Sequence, residues 1–164
     1  RDGFQALANG GAPGLVAALT FTGVLTPSFG WSLFITGLTL SLADTVSAEV
    51  GKAFAGETRL ITNLSPVEPG TDGGVSLEGT IAGLATGGVM VASGALVSPP
   101  GAELKLTPVI IGSVTGIYLD SLLGATLQGG LETLTNSKYA NDLVNLSASA
   151  SGTLAALCIL VASS

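Results

Sequence analysis

The chain has 164 residues, of which 47% are hydrophobic and only 10% are charged, against about 25% charged in typical soluble domains. Its net charge of −6, with only five Lys and Arg residues, argues against a nucleic-acid partner, because phosphate binding needs clustered positive charge. The chain has no His and one Cys, Cys158, which excludes Ser-His catalysis, a disulfide within the chain and ordinary zinc sites. A mean hydropathy of +0.66 with 24 glycines is typical of a membrane protein.

Hydrophobic segments recur along the chain, each near the ~20 residues that a spanning helix needs. They are residues 8–26, 31–54, 75–98, 107–128 and 143–161. The sequence therefore predicts an all-α polytopic membrane protein of about five transmembrane helices, embedded in the lipid bilayer, with residues 1–164 as a single domain. The connections at 27–30 and 99–106 are short, whereas those at 55–74 and 129–142 are longer and more polar.

The positive charges predict an orientation in the membrane. Five crossings place Arg1, Lys52, Arg59 and Lys138 on the side of the longer connections, and only Lys105 on the other side. By the positive-inside rule the longer connections face the cytoplasm, or the stroma in a plastid. We therefore expect a protein of a bacterial inner membrane or of a plastid envelope or thylakoid. Because no initiator Met is present, we also expect a processed chain or a fragment of a longer protein.

Two of the predicted helices carry an acidic residue inside their apolar stretch. A carboxylate costs roughly 2.5–3.5 kcal/mol at the bilayer centre on insertion scales, so an acid in this position indicates a functional site. In each helix one face presents an acid, a hydroxyl, a small residue and a long polar side chain in the same order. In the second helix these are Asp44, Thr45, Ala48 and Lys52. In the fourth helix they are Asp120, Ser121, Gly124 and Gln128.

The likeness between these two helices continues beyond them. Glu57-Thr58 to Asn63 is echoed by Glu132-Thr133 to Asn136, which is consistent with a parallel internal repeat of two helices per unit. The repeat units would be residues 31–98 and 107–164. The alternative is that short apolar segments resemble each other by chance. Glycines also recur at i, i+4 spacing, which predicts close helix packing. One ridge is Gly79, Gly83 and Gly87, and the other is Gly112, Gly116 and Gly124, with Asp120 between the last two.

A glycine-rich stretch, residues 69–80, precedes the third predicted helix. Glycines before a helix leave backbone amide groups free to surround an anion, and the helix dipole adds to the attraction. The candidate phosphate-binding residues here are Thr71, Asp72, Gly73, Gly74 and Ser76. No Gly-Lys-Ser/Thr follows, so the stretch is not a Walker A loop. The alternative is a flexible turn with a helix cap at Thr71 or Asp72.

Several side chains match the ligands that magnesium and phosphate prefer. Carboxylates supply the hard oxygen atoms that Mg²⁺ binds, and Lys52 and Arg59 would then hold phosphate oxygens. The candidate metal ligands are Asp44, Glu49, Asp120 and Asp142, and Asp72 could supply a further oxygen. Candidates for binding a ribose, base or phosphate are Asn136, Asn141 and Asn145. The alternative is that some of the acids pair with Lys52 or Arg59 and only hold helices together.

At these residues the chain resembles the integral-membrane phytyl-phosphate kinase family. The likeness spans nearly the whole chain and rests on ordered motifs. They are Asn-Gly-Gly at 9–11, Ala-Asp-Thr-x-Ser-x-Glu-x-Gly at 43–51, Pro-Gly-Thr-Asp-Gly-Gly-Val-Ser at 69–76, Asp-Ser-Leu-Leu-Gly-Ala-Thr-Leu-Gln at 120–128 and Asn-Asp-x-Val-Asn at 141–145. The chain departs from the family in two ways. Family members usually carry additional helices before this point, and some have cysteines after the Asp-Ser motif.

The resemblance implies phosphoryl transfer from a nucleoside triphosphate, CTP or ATP, to a prenyl monophosphate such as phytyl phosphate, giving the diphosphate for tocopherol synthesis. In this interpretation Asp44, Asp120 and Lys52 are catalytic, and Mg²⁺ is the metal. Thr45, Ser121 and Gln128 would contact the substrates. A membrane transporter and a small structural subunit of a membrane complex are the alternatives, because intramembrane acids and repeats also mark ion pathways.

Overall fold

The structure, a computed structural model, describes residues 3–135 and 137–164, without the side chains of residues 137 and 138. The helices are α1 (Gly3–Phe21), α2 (Pro27–Phe54), α3 (Leu77–Leu96), α4 (Leu106–Leu123), α5 (Gly129–Leu134) and α6 (Ser137–Ala162). The strands are β1 (Thr58–Leu60), β2 (Pro66–Val67) and β3 (Gly74–Ser76). A π-helical turn, Gly124–Gln128, joins α4 to α5.

The predicted all-α polytopic fold is confirmed. Within the described part of the chain, four helical stretches are long and apolar enough to cross a membrane. They are Pro27–Phe54, Leu77–Leu96, Leu106–Leu134 and Tyr139–Ala162. Helix α1, with 19 residues, overlaps the first predicted segment, 8–26, but begins and ends five residues earlier. It is not among these four stretches, and Gln5 and Asn9 interrupt its apolar sequence. The division into repeat units 31–98 and 107–164 stays a prediction.

The two longer connections contain more regular structure than the sequence predicted. Residues 55–74 and their flank form a small antiparallel sheet in the order β2-β1-β3, with Thr58 opposite Ser76 and Arg59 opposite Val75. Residues 129–142, predicted as a connection, are helical for most of their length, because α5 continues α4 and α6 begins at Ser137. Pairing between strands satisfies backbone groups that a loop would leave to water.

Glycines bring α2 and α3 into backbone contact. A Cβ atom added at Gly79 would lie 2.7 Å from the backbone oxygen of Ser47, and one at Gly83 would lie 3.1 Å from Ser47 Cβ and 3.3 Å from the oxygen of Ala43. A larger residue at either position would push the helices apart. The ridge that the spacing predicted is thus the contact surface between these two helices, as expected for helices that pack in lipid.

Helices α4 and α6 approach each other in the same way. A Cβ atom at Gly112 would lie 2.7 Å from Ala156 Cβ and 2.7 Å from the oxygen of Gly152. In return, a Cβ atom at Gly152 would lie 2.6 Å from the oxygen of Gly112 and 3.0 Å from the Cα of Gly116. The two pairs, α2 with α3 and α4 with α6, therefore form the framework on which the loops rest.

The two ends of the bundle differ in character. One end contains the apolar core of Val16, Leu33, Ala156 and Leu160. At the same end, the Lys105 backbone amide donates to Ser32 Oγ (3.0 Å) and the Lys105 ammonium pairs with Glu103 (2.8 Å). Because Ser32 lies near the start of α2 and Lys52 near its end, Lys105 and Lys52 lie at opposite ends of the bundle, as predicted. Arg1, Asn136 and the Lys138 side chain lie outside the described residues.

We expect Gly112→Ala to destabilise the protein by about 1–3 kcal/mol, because its methyl group has no space between α4 and α6. Gly88→Ala is the matched control, since nothing lies within 4 Å of a Cβ atom at Gly88. It should be neutral or slightly stabilising, because Ala has a higher helix propensity than Gly. Thermal unfolding in detergent measures both. Equal melting temperatures for the two variants would contradict the packing described here.

Candidate functional site

A polar cavity of about 270 Å³ lies at the end of the bundle that carries Lys52. Helices α1, α2 and α6, the α4–α5 junction and the turn before β3 all contribute to its wall. Most of the residues predicted for the site line it. They are Asp44, Thr45, Glu49, Lys52, Thr71, Asp72, Gly73, Gly74, Ser76, Asp120, Ser121, Gln128, Asn141 and Asn145. Residues from distant parts of the chain therefore meet in one place, as the sequence predicted.

The carboxyl groups of Asp44 and Asp120 lie at the centre of this cavity, within hydrogen-bonding reach of each other. They come from different spanning helices, and both are half-buried. When its amide is oriented to satisfy its neighbours, Asn145 donates to Asp120 Oδ1 (3.1 Å) and to the backbone oxygen of Asn141 (3.3 Å). Two carboxylates this close repel each other unless a proton or a cation lies between them. The pair is therefore suited to binding a cation.

Lys52 stands at the rim among three acidic groups. Its ammonium lies 3.5 Å from Glu49 Oε1, one turn earlier on α2, and its charge also acts on Asp44 and Asp72. The side chains of Lys52 and Glu49 are 54% and 72% exposed, so the ion pair between them stabilises little. The stem of Lys52 packs against Gly70, where a Cβ atom would lie 3.4 Å from Lys52 Cγ. This cation can therefore leave Glu49 to bind an anion in the cavity.

The turn at residues 70–76 is seated on the π-helical turn at the end of α4. Gly73 has φ +71°, and a Cβ atom there would overlap the Ala125 side chain and lie 2.6 Å from its backbone nitrogen. On the other side, a Cβ atom at Gly124 would lie 3.2 Å from the Gly73 nitrogen. A residue with a side chain fits at neither position without movement. The close contact fixes the position of the turn relative to the end of α4, which carries Asp120.

Neither Thr71 nor Asp72 caps a helix, so the predicted cap at these residues is wrong. Residues 74–76 pair with β1 as a strand, and α3 begins only at Leu77. Ser76 is the cap, because its hydroxyl oxygen accepts from the Gly79 amide (3.1 Å). The Gly74 amide donates to the oxygen of Thr71 (2.8 Å), within the turn. This predicted anion donor is therefore already satisfied.

Asp72 extends from this turn toward α5. Partial burial, followed by the negative charge of Glu132, raises the pKa of Asp72 above its ordinary value. A hydrogen bond with Gln128 and the charge of Lys52 act in the opposite direction. Gln128 is 6% exposed and belongs to the π-helical turn, whose wider spacing changes the direction in which its side chains point. The turn, α2 and α5 are thus electrostatically linked at Asp72.

The structure does not bring Arg59 into the cavity, although the sequence placed it at the site. Successive strand residues face opposite sides of a sheet. Thr58 is buried and lines the cavity, so Arg59 points away from it. The Arg59 guanidinium pairs with Glu57 Oε1 (2.7 Å) and donates to the oxygen of Leu64 (2.8 Å). Of the two predicted phosphate-binding cations, only Lys52 lies at the site.

The predicted magnesium set of Asp44, Glu49, Asp120 and Asp142 is likewise not assembled as a group. Among the described residues, no three or more acidic, His or Cys side chains are grouped closely enough to hold a metal ion. Asp142 is one residue beyond Asn141 on α6 and therefore faces about 100° away from it. It is 6% exposed and lines an apolar groove between α1 and α6. The candidate ligands that meet are Asp44 and Asp120.

Sequence reasoning assigned no site role to some residues that line the cavity. Gln5 and Asn9 reach it from α1, Ser47 from α2, and Thr80 from α3. The spacing of Gln5 and Asn9, four residues apart in an otherwise apolar helix, is a signal that could have revealed them. The backbone oxygen of Asn9 also accepts from Ser41 Oγ (2.8 Å), which joins α1 to α2 beside the cavity.

These features define a polytopic α-helical membrane protein with a polar cavity that joins acidic side chains of two spanning helices. The sequence profile of the integral membrane protein family DUF92 matches residues 1–153, so the chain belongs to this family. The resemblance that the motifs indicated is confirmed at the level of the family. No solved structure matches the chain.

Relatives of the chain occur in plants, cyanobacteria and archaea. The chain is 35% identical to an uncharacterised membrane protein of Synechocystis, over 83% of this chain and 54% of the relative. It is 33% identical to the chloroplastic protein VTE6 of Arabidopsis thaliana, over 69% of this chain and 33% of the relative. It is 31% identical to an uncharacterised membrane protein of Methanocaldococcus jannaschii, over 85% of this chain and 56% of the relative. The chain thus spans roughly half or less of the length of these relatives.

The raised pKa of Asp72 predicts how stability changes with pH. A carboxyl group whose pKa is raised in the folded state weakens folding as pH rises through that pKa, and has no such effect below the pKa of the unfolded chain. Asp72→Asn should therefore raise the melting temperature at neutral pH, by at most about 2 °C for so exposed a group, and change it little near about pH 3.5. Thermal unfolding at both pH values measures this.

Glu68→Gln, which removes the same charge from the same connection, is the matched control. It should leave the melting temperature unchanged at both pH values. A melting temperature at neutral pH that Asp72→Asn lowers would contradict the electrostatic account of the turn.

Proposed function

We propose that this protein is a membrane kinase that transfers a phosphoryl group from a nucleoside triphosphate, CTP or ATP, to a prenyl monophosphate. The observation that carries the proposal is the contact between Asp44 and Asp120 in a polar cavity bordered by Lys52. A lipid monophosphate is the class of substrate that can enter, from the bilayer, an anion-binding cavity between spanning helices. The resemblance of the motifs to phytyl-phosphate kinases supports phytyl phosphate as the acceptor.

The reaction suits a site without histidine. A phosphate monoester has its second pKa near 6, so at neutral pH it is largely dianionic and attacks without a general base. An oxygen of the prenyl phosphate bonds to the terminal phosphorus of the nucleotide, the bridging P–O bond breaks, and the nucleoside diphosphate leaves with the electron pair. Catalysis then requires alignment of two anions and relief of their repulsion. The cavity residues serve these two purposes.

The donor set fits Mg²⁺. Proteins usually bind this ion through one or two carboxylates, while waters and substrate phosphates complete its octahedral shell. Asp44 and Asp120 would hold it, and the bound ion supplies neutralisation of the charge on the transferred group. A third carboxylate is not required, so the position of Asp142 elsewhere does not remove the site.

The remaining residues bind and orient phosphate groups. Lys52 at the rim leaves Glu49 and binds a phosphate oxygen, because its ammonium group is a compact charge on a flexible side chain. The hydroxyl group of Ser121, next to Asp120, donates to a phosphate oxygen. The Thr45 hydroxyl, next to Asp44, donates to the backbone oxygen of Ser41 (2.8 Å) and must turn from it to reach a phosphate. The 70–76 turn closes the outer side of the cavity and limits access of water.

We propose a plastid or bacterial membrane as the location, with the cavity on the stromal or cytoplasmic side. Two observations support this. The relatives include a chloroplastic protein and a cyanobacterial membrane protein, and Lys52 and Arg59 lie at the cavity end of the bundle.

A transporter is the second candidate, because an acid pair inside spanning helices is also the mark of an ion pathway. Residues farther from the cavity favour the kinase. Thr36, Leu33 and Val109 are fully buried between the helices, so closely packed side chains lie between the carboxyl pair and the other end of the bundle. Substrate flux into liposomes without nucleotide turnover would favour transport over the kinase.

We expect Asp120→Asn to lower phosphoryl transfer by about two orders of magnitude or more, because the neutral side chain weakens cation binding where charge must be neutralised. Asp44→Asn should behave alike. The double variant should lose much less than the product of the two effects, because both changes disable one site. The measurement is transfer of radiolabelled phosphate to phytyl phosphate by the purified, folded variants.

Lys105→Ala is the control, since Lys105 pairs with Glu103 at the opposite end of the bundle. It should leave transfer nearly unchanged. Near-normal turnover by folded Asp120→Asn would remove the metal assignment.

The different positions of Lys52 and Arg59 lead to a second prediction. Lys52→Ala should raise the KM for the nucleotide or the prenyl phosphate about tenfold, because a charge-assisted phosphate contact is lost. Arg59→Ala should leave both KM values unchanged, since its guanidinium binds Glu57 on the other face of the sheet. Steady-state kinetics over both substrates measures this. An equal rise in KM for both variants would mean that the strand orientation described here does not hold during turnover.

A further inference from the structure

A second cavity, the α1–α6 groove, runs between the first and last helices. Its volume is about 320 Å³, in the lower part of the range of small-molecule sites, and its wall is almost entirely apolar. Phe4 and Leu7 on α1 face Tyr139, Leu143 and Leu146 on α6 across it. The rings of Phe4 and Tyr139 meet edge to face, with 5.1 Å between their centroids.

The groove is a neighbour of the polar cavity and shares two helices with it. On α1, Gln5 and Asn9 line the polar cavity while Phe4 and Leu7 line the groove. On α6, Asn141 and Asn145 line the polar cavity, and the residues next to each of them, Asp142 and Leu146, line the groove. The two cavities therefore lie on either side of one α1–α6 seam and at the same height along α6.

The groove is open toward the surface and narrow toward the bundle. Leu7 and Leu143 are 57% and 44% exposed, and α6 is one of the spanning helices, so the opening faces lipid. Farther along α1 the two helices are in contact, because a Cβ atom at Gly11 would lie 3.7 Å from Leu146 Cδ1 on α6. An apolar chain can therefore enter the groove from the bilayer as far as Gly11.

We infer that the α1–α6 groove receives the hydrocarbon chain of the lipid monophosphate while its phosphate lies in the polar cavity. The chemistry of the head group rests on the proposed function, whereas the apolar chain rests on the groove itself. A molecule with one anionic end and one hydrocarbon end matches two adjoining cavities, one polar and one apolar, that share a seam.

Asp142 sets the direction in which such a molecule binds. Its carboxyl group is 6% exposed, its Oδ2 atom has no hydrogen-bond partner among the described residues, and it faces the groove. A carboxylate in this position repels a phosphate, since burying two like charges together is costly. The phosphate is thus directed toward Lys52 on the other side of the seam, and only the chain enters the groove.

A photolabelling experiment on the full-length protein in lipid nanodiscs tests the groove. The probe is a phytyl monophosphate analogue that carries a benzophenone on its chain, and the labelled residues are mapped by mass spectrometry. We expect the label on α1 and α6 at the groove, and we expect unlabelled phytyl monophosphate to compete for it. Labelling of the outer face of α3, where Leu84 is 65% exposed, would indicate general lipid contact and overturn the inference.

A kinetic comparison separates the groove from the kinase activity. Leu143→Trp fills the groove, and Leu7→Trp fills it from the opposite wall if the first variant fails to fold. Either should raise the KM for phytyl monophosphate about tenfold, and leave unchanged the KM for dimethylallyl monophosphate, whose single isoprene unit has no chain to place there. Leu84→Trp on α3 is the matched control and should change neither value.

The outcomes distinguish the two proposals. Specific labelling of the groove without phosphoryl transfer to any prenyl phosphate would support the groove as a lipid site and contradict the proposed kinase function. Transfer with an equal rise in KM for the long and short substrates in the Trp variants would contradict the role of the groove and leave the kinase proposal intact. A Leu143→Cys variant that cross-links to another segment of the protein, with no labelling by the probe, would mean that protein and not lipid fills the groove.

Discussion

The contact on which the rest of the structure depends is the close approach of backbones at glycine. Lipid is as apolar as leucine, so helices in a bilayer gain little from burying apolar side chains and associate through close packing instead. Gly79 and Gly83 allow α3 to touch the backbone of α2, and Gly112 and Gly152 do the same for α4 and α6. Gly112 and Gly116 also bring α4 against Thr36 and Leu40 of α2, so that Asp44 and Asp120 come into contact. Wider helix spacing would separate the acids and open the cavity.

The cavity lies where burying its polar groups costs the least free energy. The acids lie toward the ends of α2 and α4, where the β1–β3 sheet and the 70–76 turn cover them with hydrogen-bonded backbone. The same closure has an electrostatic cost, because burial and then the negative charge of Glu132 raise the pKa of Asp72. A substrate phosphate near Lys52 would meet a cation that a weak, exposed ion pair holds in place. The site thus combines a fixed carboxyl pair with a mobile cation.

Residues that the sequence pattern pairs across the two halves have different surroundings. Asp44 and Asp120 have similar surroundings, because each contacts the other. Lys52 and Gln128 have different surroundings, since Lys52 is exposed at the rim with Glu49 while Gln128 is buried beside Asp72. In the proposed kinase, a cavity built from two similar faces would in this way bind two different phosphate groups. Whether the likeness reflects a duplicated unit stays a prediction.

The class of the protein, its long helices and most of the cavity residues could be predicted from the sequence. Apolar length, intramembrane acids and glycine spacing are local signals, and helix periodicity converts them into faces. The positions of Arg59 and Asp142 depend on the tertiary structure. Arg59 points away from the cavity because it lies on a strand, where successive side chains face opposite sides, and the sequence did not predict this strand. Asp142 faces the groove because α6 begins earlier than predicted and includes it. Strand pairing and helix–helix contacts join residues far apart in the chain, so no local pattern specifies which side of such an element meets the site.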